Sequence, residues 1–165
     1  MPEKKWVFDT VVLSNFFLSD SIFILEERYR KRALITRQVY DELSSGMSDY
    51  PELKQIDILF QNKAFNLVSL SPKEHQHFLQ MIGFLGKGEA SCIALATEQT
   101  ARVVTDDRAA RKQCSLMKAP VTGTVGILKA SVLEGNISLT QADKHLQKMI
   151  AAGFYSPIRS LADIV

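Results

Sequence analysis

This chain of 165 residues is poor in several things, and each shortage excludes a class of protein. It has 2 cysteines and 3 histidines. Cys92 and Cys114 cannot build a disulfide framework, and their spacing fits no zinc pattern, so they read as reduced thiols on core or helix faces. His75, His77 and His145 likewise lack zinc-ligand spacing and read as exposed or partner-facing. No apolar run approaches the ~20 residues a membrane span needs, and Met1-Pro2-Glu3-Lys4-Lys5 lacks the apolar stretch of a signal peptide, which points to the cytoplasm. Neither charge sign dominates: 20 Lys and Arg face 18 Asp and Glu. Bulk charge therefore neither demands nor excludes a polyanionic partner, and any such case must be local. Disordered and low-complexity classes are excluded by the apolar content of 46% with so small a net charge. What is left is one globular domain over residues 1–165, able to bury about 70% of its unfolded surface.

The chain alternates short β-branched or aromatic runs with longer helical patterns, without repeat or linker. That alternation is the pattern of a parallel α/β sheet. The strand candidates are Trp6-Val7-Phe8, Ala33-Leu34-Ile35, Phe65-Asn66-Leu67-Val68, Arg102-Val103-Val104 and Ala119-Pro120-Val121. The first and fourth are apolar without alternation, as central parallel strands are. Helix starts are marked at Thr36, at Ser71-Pro72-Lys73-Glu74 and at Thr140-Gln141-Ala142-Asp143, and Gly46 stands where a helix stop belongs. Pro51 opens an amphipathic segment carrying Leu53, Ile56, Leu59 and Phe60, a surface for dimerising or a partner, or else core. The last helix and tail, from about residue 137, are expected to fold back on the domain.

In an open parallel sheet, ligands bind beyond the carboxyl ends of the strands. The first strand ends in Asp9-Thr10 and the fourth in Thr105-Asp106-Asp107. Such acids serve as helix N-caps, but two central strands delivering three of them to one rim exceed what capping requires. Glu89 heads a small-residue helix, Glu89-Ala90-Ser91-Cys92-Ile93-Ala94-Leu95-Ala96, and shares a stripe with Cys92, Ile93 and Ala96. That places it toward the rim, or simply in a first turn where the helix dipole favours an acid. Glu42, three residues after Val39, shares part of a buried stripe, while Asp41 faces water. Carboxylates brought this close repel one another unless a cation joins them, and a hard ion such as Mg²⁺ or Mn²⁺ prefers such oxygens. Arg108, Arg111 and Lys112 lie where a helix dipole disfavours cations. They suit a phosphodiester backbone, or else neutralise the neighbouring acids or face solvent. Lys87 beside Glu89 fits the same part.

With those pieces in hand, the sequence resembles the PIN-domain nuclease superfamily, and within it the VapC-like prokaryotic proteins. The resemblance runs, in order, through Val7-Phe8-Asp9-Thr10, Val39-Tyr40-Asp41-Glu42-Leu43, Gly88-Glu89-Ala90, Val103-Val104-Thr105-Asp106-Asp107-Arg108 and Pro120-Val121-Thr122-Gly123-Thr124. It implies a three-layer α/β/α sandwich around a mostly parallel sheet of about five strands. It also implies a metal-dependent phosphodiesterase, most often a ribonuclease, using Mg²⁺ or Mn²⁺. Matched motif by motif, Asp9, Glu42, Glu89 and Asp107 take the catalytic positions. Asp9, Glu89 and Asp107 hold metal, with Asp106 competing for the last place and Thr105 in support. Arg108, Arg111 and Lys87 contact the phosphate. The third acid is Glu where Asp is commoner, one methylene longer. RNA, a small antitoxin and a second copy of the chain are the implied partners, with no membrane. The competing expectation is a PIN-like module that binds RNA or protein without cutting.

Overall fold

The computed structural model describes residues 4–165, so Met1, Pro2 and Glu3 of the opening segment lie outside the described residues. The first strand, β1 (Trp6–Phe8), is buried along its whole length. It leads through Asp9 into α1 (Thr10–Leu18) and α2 (Ile22–Tyr29). The second strand, β2 (Ala33–Thr36), is again buried throughout and feeds α3 (Arg37–Gly46). A 3-10 turn (Pro51–Lys54) and α4 (Gln55–Gln61) return the chain to β3 (Phe65–Val68). Then come α5 (Pro72–Met81), α6 (Lys87–Gln99), β4 (Arg102–Val104), α7 (Arg108–Leu116), β5 (Val121–Thr122), α8 (Thr124–Leu133) and α9 (Leu139–Ala151).

All five strands are parallel, in the order β3-β2-β1-β4-β5. The chain starts in the middle, winds outward to β3, then crosses over to β4 and continues the other way. Strand order therefore reverses between β1 and β4, which pair from Trp6 opposite Arg102 to Phe8 opposite Val104. In this topology the crevice beyond the strand ends opens at that seam. The central strands are apolar on both faces because helices cover both, as the α/β/α expectation requires.

Helix α6 explains its own composition. Ala90, Ser91, Cys92, Ile93, Ala94, Leu95 and Ala96 are all buried, and the helix packs on β1, β2 and β4 as well as on α3, α5 and α7. A helix enclosed on every side has room only for small and medium side chains. Beneath the sheet, Phe8 packs edge-on to Tyr29 at 5.0 Å between ring centroids and stacks on Phe65 at 5.8 Å.

Several expectations need adjusting. The fifth strand is Val121–Thr122, not Ala119–Val121, because the Ala119 N–H is still held by the Cys114 carbonyl at 2.8 Å and Pro120 has no N–H to give. Gly46 is the last helical residue of α3, with Met47 after it as the cap. Helix α6 starts at Lys87, two residues before Glu89, because Gly86 is its N-cap. Helix α9 is capped by Ser138 rather than Thr140, in a reciprocal box with Gln141. His145 is half-buried rather than exposed, its Nδ1 lying 2.6 Å from Ser21 Oγ and its ring edge-on to Phe23. His77 pairs with Glu98 at 2.8 Å.

Of the two readings of the segment after Pro51, the core is the one observed: Leu53, Ile56 and Leu59 are buried, and Phe60 packs against them with Tyr40. Truncating Leu59 to Ala is expected to lower stability by about 2–5 kcal/mol in a denaturant titration. Truncating its exposed neighbour Ile58 is expected to leave it within about 0.5 kcal/mol.

Candidate active site

Asp9 is the N-cap of α1, yet it is only 1% exposed, an unusual place for a carboxylate. Its Oδ1 accepts the Thr10 N–H at 2.7 Å and its Oδ2 accepts the Thr105 hydroxyl at 3.0 Å. Its own N–H bonds the Val104 carbonyl at 2.9 Å, extending the β1–β4 ladder by one step. The ends of the two strands on either side of the switch point are thus joined by both backbone and side chain. Thr105 Oγ1 also accepts the Asp107 N–H at 3.2 Å, so one hydroxyl orients the turn after β4 and the carboxylate after β1.

Glu42 reaches the same place from α3, and Glu89 from the first turn of α6. The approach depends on Gly88. A Cβ there would run into Glu42 Oε1 and sit 3.3 Å from Asp9 Oδ1, so a glycine leaves the Glu42 carboxylate its place beside Asp9. Thr36 steadies the packing underneath. It caps α3 by accepting the Val39 N–H at 3.1 Å, and its hydroxyl meets Ser91 of α6 at 2.7 Å.

The electrostatics follow from this crowding. Burial, then the negative charge of Glu89 and more weakly that of Glu42, push the Asp9 carboxyl up to about 7, against the opposing hydrogen bonds from Thr10 and Thr105. Glu42 is also raised, by desolvation first and then by Glu89, while the Gly88 backbone and Thr10 act the other way. Thr10 Oγ1 is buried and finds no hydrogen-bond partner among the described residues, although it lies close enough to Glu42 to favour its charged form. The site is a set of hard oxygens carrying more negative charge than its surroundings compensate. That is the donor chemistry a divalent cation takes.

Asp106 and Asp107 are placed differently. Asp107 Oδ2 accepts the Ala110 N–H at 2.8 Å and so caps α7. Asp106 turns toward α8. Its Oδ1 accepts the Thr124 N–H at 2.9 Å, and its Oδ2 accepts the Thr124 hydroxyl at 2.6 Å and the Asn15 amide at 3.4 Å. Each acid serves the start of a different helix. Among the described residues, no three Asp, Glu, His or Cys side chains stand close enough to chelate an ion as they are oriented. Asp9, Glu42, Glu89 and Thr105 are therefore brought together, and Asp106 and Asp107 flank them on the β4 side.

Asn15 was not singled out by sequence, and Thr124 entered only within the Pro120-Val121-Thr122-Gly123-Thr124 stretch, without a role at the site. Asn15 donates to Thr124 Oγ1 at 3.0 Å and completes the bonding of Asp106. Its one signal is a lone amide in the apolar run of α1. Of the cations, Arg111 Nη1 donates to the Thr105 carbonyl at 2.8 Å, Arg108 and Lys87 are exposed, and none of the three forms an ion pair with an acid among the described residues.

A family model described as a PIN domain, DUF3368, matches residues 5–165, and the chain belongs to that family. No curated protein matches it. Among solved structures, VapBC2 from Rickettsia felis, bound to a DNA fragment from its promoter, is 13% identical with a TM-score of 0.51, over 72% of this chain and 97% of that one. PAE2754 from Pyrobaculum aerophilum is also 13% identical with a TM-score of 0.51, over 73% and 84%. A toxin–antitoxin complex from Klebsiella pneumoniae is 18% identical with a TM-score of 0.49, over 62% and 87%. At these identities the shared property is the fold.

A consequence for stability can be measured directly. An unfolded Asp ionises near pH 4, whereas folded Asp9 keeps its proton to about 7. The native state thus binds the extra proton, so the contribution of Asp9 is fully present below pH 4 and is lost as pH rises through 7. The loss is on the order of 4 kcal/mol. In urea titrations with EDTA, Asp9→Asn is expected to flatten this decline and to be more stable than wild type at pH 8. Added Mn²⁺ is expected to stabilise wild type at pH 8 and the variant much less.

Proposed function

We propose that the chain is a divalent-metal-dependent phosphodiesterase that cuts RNA, and that it acts in the cytoplasm as the toxin of a toxin–antitoxin pair. The observation that carries the catalytic reading is the meeting of Asp9, Glu42 and Glu89 at the switch point, with Asp9 buried and its proton held up to about 7. Family membership supports the reaction class. The toxin–antitoxin part extends to this chain what is printed of its Rickettsia felis neighbour, and with it a small antitoxin as partner.

In this reading Asp9, Glu89 and Asp107 hold the metal, Asp106 standing beside them, and Glu42 completes the acidic cluster. A bound Mg²⁺ or Mn²⁺ supplies charge neutralisation, a more acidic water and stabilisation of charge on the phosphate. The residues supply the rest. Thr105 and the Thr10 N–H fix both Asp9 oxygens, so that carboxylate is oriented before any ligand arrives. Glu42 at the rim is positioned to take a proton from the attacking water. Arg111, tethered to the Thr105 carbonyl, and Arg108, exposed beside it, are placed to receive phosphate oxygens, with Lys87 on the α6 side. To join Asp9 and Glu89, Asp107 would have to give up its bond to the Ala110 N–H.

The commitment of Asp106 and Asp107 to helix starts favours a second reading, a PIN-like module that binds nucleic acid or protein without cutting. End-labelled single-stranded RNA and DNA, incubated in Mn²⁺, Mg²⁺ or EDTA, decide between them. The expected result is metal-dependent RNA cleavage that Asp9→Asn reduces at least ~100-fold with the fold intact. Metal binding without any cleavage by folded wild type selects the second reading. Gly88→Ala is an independent check: it is expected to keep or raise thermal stability, alanine being the better helix former, while cleavage falls because the new methyl displaces Glu42.

A further inference from the structure

The chain after α9 is a strap fixed at both ends. Phe154 N–H bonds the Met149 carbonyl at 2.9 Å and its ring packs against the core. Farther on, Asp143 accepts the Leu161 N–H at 2.7 Å and the Ser160 hydroxyl at 2.9 Å, Gln147 donates to the Arg159 carbonyl at 2.6 Å, and Leu161 is buried. Between these anchors Tyr155 stands 95% exposed. An exposed aromatic is ordinary by itself. The position of this one is not, because Tyr155 and Phe154 line a cleft of about 470 Å³ together with Asp106, Arg108 and Arg111.

The cleft is built for a ligand with an anionic part and a flat part. Its two arginines are unpaired with any acid among the described residues, and Arg111 is held in place by the Thr105 carbonyl. Its one acid, Asp106, has both oxygens occupied by Thr124 and Asn15. Its floor is kept open at Gly123, where a Cβ would strike Asp106 Oδ1 and come within 3.0 Å of Arg111 Nη1. The volume lies within the ~300–1,000 Å³ range of small-ligand sites. The cleft also adjoins the end of β4, on the Asp106 side of the acidic cluster.

We infer that this cleft seats the nucleotide next to the scissile bond, with its base stacked on Tyr155 and its backbone phosphate held by Arg108 and Arg111. The inference rests on the phosphodiesterase reading for its place beside a scissile bond. A base can stack on a protein ring only when it has left its duplex, so the cleft makes the protein select unpaired strands. Because the strap is anchored on both sides, its backbone has little ordering left to do on binding.

The test is fluorescence anisotropy in EDTA, so that nothing is cut, with a short single-stranded RNA, the DNA of the same sequence and the corresponding blunt duplex. A single 2-aminopurine in each reports stacking by quenching. Tyr155→Ala is expected to weaken single-strand binding ~10-fold and to remove the quenching, Tyr155→Phe to restore both, and duplex binding to be the same in all three proteins. RNA binding more tightly than DNA assigns the seat to a ribonucleotide; equal binding assigns it to any unpaired nucleotide, and both support the inference. Unchanged single-strand binding and quenching in Tyr155→Ala overturn it, as does an equal loss on duplex and single strand. Cleavage in Mn²⁺ separates the two readings: Tyr155-dependent binding without cleavage keeps the seat and removes the phosphodiesterase, and cleavage with unchanged KM in Tyr155→Ala does the reverse.

Discussion

The structure turns on a repulsion that it does not itself relieve. Asp9 is buried at the seam between β1 and β4, and Glu42 and Glu89 are brought up against it from two helices. Left alone, these groups would separate or keep their protons. They stay together because the elements that carry them have no freedom to part. Asp9 is bonded through N–H and both carboxylate oxygens to Val104, Thr10 and Thr105, and α6 is enclosed on all sides by sheet and helices. The core therefore holds Asp9, Glu42 and Glu89 in one field, while Asp106 and Asp107 stay turned to the starts of α8 and α7.

The details of packing follow from that demand. Gly88 lies against the ends of the Glu42 and Asp9 side chains, and a single methyl there would displace the Glu42 carboxylate. The small residues of α6 let the helix lie deep enough to bring Glu89 to the rim. Thr36 and Ser91 tie α3 to α6 by a buried pair of hydroxyls, so the helix that carries Glu42 cannot drift from the one that carries Glu89. On the other side of the seam, Thr105 connects Asp9 to the turn after β4 and Arg111. In this protein the hydrogen bonds that cap helices are the same ones that orient the acids. Asp9, Asp106 and Asp107 each satisfy backbone donors at the start of a helix.

Much of this was legible locally. The unbroken apolar character of Trp6-Val7-Phe8 and Val103-Val104 marked central parallel strands, and the capping signals at Thr36 and Ser71 marked helix starts that the structure has. These are short-range effects, set by residues a few positions apart. Misjudged elements had competitors close by that periodicity does not reveal: Ala119 is drawn into the turn out of α7, and Ser138 outcompetes Thr140 as a cap. The segment after Pro51 shows the limit in another form, since an amphipathic stripe reads the same whether it faces the core or a partner. Asn15 escaped for a related reason, because a lone polar residue in an apolar helix announces that it has a partner without saying which.

What the sequence determined by itself was the alternation of strand and helix and the chemical kind of residue at each strand end. Both depend on hydrophobic pattern and on local hydrogen bonding, which neighbours in the chain decide. Only the tertiary structure decided which of the acids meet. Asp9, Glu42 and Glu89 lie far apart in sequence and share a field because strand order reverses between β1 and β4 and because Gly88 leaves the Glu42 carboxylate its place beside Asp9. Asp106 and Asp107, adjacent in sequence, go to different helices. Tyr155 acquired its setting in the same way, since only the folding back of the chain after α9 brings it into one cleft with Arg108 and Arg111. Contacts between distant segments follow from how the layers close over the core, and no local pattern carries that information.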